Sequence, residues 1–118
     1  MKKLLLATLF SFLSGNLIAA EFSGKIQSIG AGPGLGSIVL IRVENHSASA
    51  PWAAAGCANG FWSFKFDTAV AGGKETYSQL LAAYTSQSTV VIEGTGTCPT
   101  TSGGLAQVQN LSYTRFAY

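Results

Sequence analysis

The sequence predicts a small, mostly β domain of five strands, with one short helix inserted between the third and the fourth. Three observations predict it. Apolar residues alternate with polar ones over several separate short stretches, a helical spacing occurs once, and Gly-, Pro- and Ser-rich segments divide the stretches. The chain has 118 residues, 47% apolar and 10% charged, with 14 Gly. That length suits one domain, and the composition permits a packed core and excludes a disordered tail or a linker.

The domain is expected to begin at residue 21. Lys2 and Lys3 precede an apolar run, and the small residues Ala19 and Ala20 offer a cleavage point before Glu21, so residues 1–20 read as a secretory signal peptide and residues 21–118 as the domain. Ser11, Ser14, Gly15 and Asn16 interrupt the run, which leaves it short of the roughly 18 unbroken apolar residues of a membrane span. No span is expected in the mature chain, and the expected location is the periplasm or the exterior of a bacterium. Removing Lys2 and Lys3 leaves five cations facing five carboxylates. Nucleic acid is therefore an unsuitable partner, because its binding needs a basic footprint.

Each element follows from its own pattern. Residues 22–29 alternate and form the first strand, which runs into the turn Gly30-Ala31-Gly32-Pro33-Gly34-Leu35-Gly36. Residues 37–44 form the second, where Ile38-Val39-Leu40-Ile41 reads as covered on both sides. A loop over residues 45–59 leads to a third strand at 60–66, with Trp62, Phe64 and Phe66 on its core face. Tyr77, Leu80, Leu81 and Tyr84 then fall at helical spacing, and Thr76 with Gln79 resembles a capping box, so the helix is expected over residues 76–85. Residues 89–93 supply the fourth strand. The fifth is expected from 105 to about 116, long enough for a bulge or a change of face within it.

Three strands, a helix and two strands is the order of an OB-fold, a five-stranded Greek-key barrel whose helix closes one end. A small β-sandwich is the alternative. The barrel end gives the lone amphipathic helix an apolar surface to bury against. Cys57 and Cys98 are the only cysteines, and in an oxidising compartment they are expected to form one disulfide. Closing a loop of about 42 residues is worth roughly 4 kcal/mol in the chain-entropy model.

The residues Cys57, Phe61-Trp62-Ser63-Phe64-Lys65-Phe66-Asp67-Thr68, Tyr77-Ser78-Gln79-Leu80-Leu81-Ala82-Ala83-Tyr84, Val90-Val91-Ile92-Glu93-Gly94 and Cys98 together resemble the binding subunits of subtilase-cytotoxin-like and pertussis-like toxins, along with a larger set of small exported bacterial proteins. The resemblance covers residues 57–116. It implies an exported OB-fold with one disulfide and, in the toxin members, a homo-oligomeric ring of five that holds surface glycans. It carries over no glycan-contacting residue, and the turn at residues 30–36 lies outside it.

Chemistry beyond binding has thin support. The single histidine, His46, sits in a polar Asn-His-Ser loop and is expected to be solvated; the carboxylates are scattered, with Asp67 and Glu93 expected to be exposed or to cap a turn. Neither a catalytic set nor a metal cluster follows from this spacing, and no cofactor is expected. The alternating glycines at 30, 32, 34 and 36 do not fit a phosphate loop, although a loop in this place flanks the binding face of an OB-fold. Trp52, in a Pro-Trp-Ala loop, and Phe61, opposite the core face of its strand, are the expected exposed ligand contacts. The reading is a non-catalytic exported module that binds a glycan or a protein. An accessory envelope protein is the alternative, and a small hydrolase comes third.

Overall fold

The computed structural model describes residues 21–47, 49–53, 57, 59–98 and 107–117. Residues 1–20, on which the signal peptide is expected, and residues 105–106, where the last strand is expected to start, lie outside them.

Among the described residues, six strands and one α-helix form a mostly β domain: β1 (Glu21–Gly24), β2 (Ile26–Gly30), β3 (Ile38–Val43), β4 (Phe64–Asp67), α1 (Gly73–Ser86), β5 (Val90–Gly94) and β6 (Gln109–Phe116). The first expected strand is divided in two at Lys25. The backbone N–H of Lys25 donates to Glu44 Oε1 at 2.9 Å, and its carbonyl accepts from Glu44 N at 3.0 Å. This clamp on the end of β3 lets the chain leave β5, the partner of β1, and join β3, the partner of β2. Strand order is β1-β5-β6-β4-β3-β2. Both ends of that order belong to the segment joined through Lys25, so the sheet curls round on itself.

Pairing is antiparallel except between β4 and the start of β6, which run parallel with Phe64 opposite Gln109 and Lys65 opposite Asn110. β6 then changes partner to β5. The expected irregularity falls there: Glu93 faces Tyr113 while Gly94 faces Leu111, which leaves Ser112 as an extra residue. The connection from β2 to β3 is a turn, with one 3-10 turn at Pro33–Leu35 and Gly36 at φ +63°.

Val39, Ile41 and Val43 of β3 meet Phe64, Phe66, Val90, Ile92 and Phe22 in one core, the alternate residues of each strand pointing inward. The third expected strand starts four residues late. Asn59 Oδ1 accepts the N–H groups of Phe61 at 2.9 Å and Trp62 at 2.7 Å, and this side-chain turn breaks the alternation before it reaches Phe64. Ser63 is buried as a result, whereas Trp62, expected in the core with Phe64 and Phe66, is only half-buried.

The helix begins three residues earlier than its spacing predicts, and it is rotated. Leu80 and Ala83 are buried with Gly73, Tyr77 packs partly against the core, and Leu81 and Tyr84 are 38% and 40% exposed. Thr76 is inside the helix instead of capping it, its hydroxyl donating to the Gly72 carbonyl at 2.9 Å. Small residues at the contact explain the rotation. A methyl group at Gly73 would overlap the carbonyl oxygen of Asp67 and stand 2.7 Å from Thr68 Cα, so the helix comes closest where it carries no side chain. Gly73→Ala gains up to ~1 kcal/mol in helix propensity, yet it must push backbone away from backbone. The expected outcome is a net loss on the order of 1–3 kcal/mol, read as a lower denaturation midpoint in urea at unchanged m-value.

Candidate functional site

The loop between β3 and β4 is folded over the core side of the curled sheet and tied down by four groups. Trp52 is 8% exposed, with its ring 5.9 Å from Phe22 edge-on, 5.2 Å from Phe64 and 5.6 Å from the His46 ring. The expectation that Trp52 is an exposed contact is thereby corrected: its indole belongs to the core. Gln109, buried at the start of β6, donates from Nε2 to the Trp52 carbonyl at 3.1 Å and accepts the Gly96 N–H at 3.0 Å. Cys57 and Cys98 are joined, their Cα atoms 5.7 Å apart, within the range a disulfide spans. The disulfide and Gln109 link the same two connections, the one before β4 and the one after β5.

His46 is the fourth tie. Its Nε2 lies 2.8 Å from the Asn59 carbonyl and so carries the proton; Nδ1, 2.8 Å from Ser63 Oγ, accepts from the hydroxyl, which itself accepts the Val43 N–H at 3.1 Å. The solvated histidine expected from the sequence is instead a partly buried brace. A serine beside a histidine invites comparison with a hydrolytic pair. Ser63 is buried, and the far nitrogen of the ring faces a backbone carbonyl where such pairs place a carboxylate. The chain of three bonds holds the loop and turns Asn59 toward Phe61 and Trp62.

Those two aromatics form a paired aromatic surface, exposed at Phe61 and half-buried at Trp62. Phe61, the second expected contact, is 49% exposed. Its ring meets Trp62 edge-on at 4.8 Å, and Trp62 lies over Gly30, where a Cβ would stand 2.7 Å from the indole. Arg42 of β3 reaches across from the outer face. Its guanidinium carbon is 4.3 Å from the Phe61 ring centroid, Nε donates to Gln27 Oε1 at 2.8 Å, and Nη1 donates to the Phe61 carbonyl at 3.0 Å. All three partners are neutral, so the positive charge is held in place but not cancelled. Further along the same face Lys65 is partly desolvated, which lowers its pKa below the ordinary lysine value.

An open depression of about 500 Å3 lies on the other side of the loop. The remaining surface of Trp52 contributes to it, together with Glu21, Glu44, Asn45, Ser47 and Ser49. Glu44 and Arg42 are two residues apart, and both lie on the outward parity of β3 and its continuation, which places platform and depression next to one another. The platform offers a flat hydrocarbon face and guanidinium donors; the depression offers hydroxyl and carboxylate acceptors.

Sequence reasoning placed Phe61 on the outer face but missed Arg42, Gln27 and Trp62. Alternation marked Arg42 as outward-facing, which was the available signal. Asp67 caps a turn, its Oδ1 accepting the Ala69 N–H at 2.8 Å. No group of three or more His, Cys, Asp or Glu among the described residues could hold a metal ion, and no described helix is long and apolar enough to cross a membrane. Comparison with protein-family models, with curated proteins and with solved structures returns no significant match.

Proposed function

We propose that the chain is an exported, non-catalytic binding module of the OB type whose Phe61 platform holds a surface carbohydrate. Taking β1 and β2 as one bent strand supports the barrel: the order then reads first, second, third, fifth, fourth and back to first, with the parallel pair between third and fifth and the helix between third and fourth. The disulfide is compatible with a periplasmic or extracellular location.

The observation that carries the binding reading is the half-exposed Phe61 ring with Arg42 on one side of it. An aromatic ring held by a cation over one face and by a perpendicular contact with Trp62 is partly ordered before a ligand arrives, and the C–H face of a sugar packs on exposed aromatic surface. The neighbouring polar depression supplies partners for hydroxyl groups. By the toxin resemblance, the ligand is a glycan on another cell and the working assembly is a ring of five.

The second reading, an accessory envelope protein that contacts other proteins, is favoured by the exposed Leu81 and Tyr84 on α1. Light scattering followed by a glycan array separates the two. The first reading predicts retention of a defined set of glycans and a discrete oligomer; a monomer that retains none supports the second.

A further inference from the structure

At the far end of β4 from Phe61, a cavity of about 350 Å3 opens between the first turns of α1 and the irregular part of β6. We propose that this cavity is a separate binding site for a single neutral sugar ring. The proposal does not depend on the Phe61 platform.

The lining has the chemistry that a ring of hydroxyl groups needs. Asp67 and Glu75 contribute carboxylate acceptors, and Ser112 and Tyr113 contribute hydroxyls. Gln79 contributes donors, because the Thr114 hydroxyl donates to its Oε1 and so leaves the two Nε2 hydrogens for a ligand. Val70, more than half exposed, and the Tyr113 ring give an apolar wall for the C–H face of the sugar.

The extra residue in β6 is what assembles this set. A regular strand would send Ser112 and Tyr113 to opposite faces. With the register shifted there, both are exposed and both reach the cavity. The Asp67 carboxyl is held below its ordinary pKa by the Ser37 hydroxyl and the Ala69 N–H, so at neutral pH it is an ionised acceptor.

Charge and size select the ligand. Two carboxylates repel an anionic sugar, while a neutral hydroxyl donates to a carboxylate and accepts from an amide at the same site. The volume is near the lower end of the range of about 300–1,000 Å3 for ligand sites, which fits one ring and not a chain of them.

The test is a 15N–1H NMR titration of the protein with the methyl glycosides of glucose, galactose, mannose and N-acetylglucosamine, and with glucuronic acid. At least one neutral glycoside is expected to give saturable shifts at the Gly72, Gly73, Thr76, Ser112 and Tyr113 amides, with a dissociation constant on the order of 1 mM. Tyr113→Ala and Glu75→Gln should each weaken it about fivefold or more at an unchanged unfolding midpoint, and glucuronic acid should bind more weakly. The proposal is overturned if these amides stay still with every neutral glycoside up to ~50 mM, if Tyr113→Ala binds like the parent, or if glucuronic acid binds as well as glucose. Shifts confined to Arg42, Phe61 and the Trp62 indole would sink this site and leave the platform reading standing; shifts confined to the cavity would do the reverse.

Discussion

Trp52→Ala is expected to destabilise the domain by about 3–5 kcal/mol, the cost of emptying a large aromatic site in a core. The ring fills the space between Phe22, Phe64 and His46, and its carbonyl is one of the two groups that satisfy the buried Gln109 amide. Removing the ring loosens the loop that presents this carbonyl, so the loss extends beyond the cavity. Domains of this size are stable by roughly 5–15 kcal/mol in total, and each kcal/mol moves the midpoint by about 4–8 °C. A fall of at least about 12 °C in the thermal midpoint is the expected reading. Trp52→Phe, which keeps an aromatic ring in the site, should recover much of it. A Trp52→Ala protein that melts with the parent would place the indole outside the core.

The second large effect is reduction of the Cys57–Cys98 disulfide. The bridge spans 41 positions of sequence, and in the chain-entropy model a loop of that size restrains the unfolded chain by roughly 4 kcal/mol. Native contacts that remain after reduction decide what else is lost. Gln109 still joins the Trp52 carbonyl to Gly96, so the two connections stay near one another in the folded protein and the penalty falls mainly on the unfolded side. The double variant Cys57→Ser/Cys98→Ser is therefore expected to retain its near-UV circular dichroism at low temperature while unfolding at a much lower denaturant concentration. A double variant with the parent's midpoint would show that the bridge restrains nothing.

The contrast between Trp52 and Phe61 shows what a one-dimensional pattern can carry. Phe61 reads as outward-facing from the alternation that follows it; it is exposed, although the Asn59 turn breaks that alternation before Phe64 and buries Ser63 of the same parity. Trp52 was not legible, because it stands alone between Pro51 and Ala53 in a segment without a period. Its place depends on the loop folding back over the curled sheet, which is decided by His46, Gln109 and the disulfide acting across 13 to 57 positions of sequence. The disulfide itself was legible because only two cysteines are present. Gln109 was not, since a buried glutamine at the start of a strand looks like any polar surface residue until its two partners are in place.

The helix and the first strand follow the same rule at finer scale. Helical spacing found α1 but not its rotation: four large residues suggested one buried stripe, and close approach at Gly73 selected a neighbouring one through Leu80 and Ala83. The division of the first strand at Lys25 left no periodic trace, because a single residue clamped by Glu44 changes the pairing partner while the apolar pattern continues. The irregularity in β6 was anticipated from strand length, but its position at Ser112 is set by pairing with β5.

The proposed division of labour between an interior Trp52 and a solvent-facing Phe61 is tested most directly by Phe61→Ala, read for stability and for glycan retention on one preparation. Truncating a half-exposed ring should leave the unfolding midpoint within about 0.5 kcal/mol of the parent while abolishing retention on the array. A variant that keeps its glycans, or one that loses them only because it no longer folds, would contradict the account.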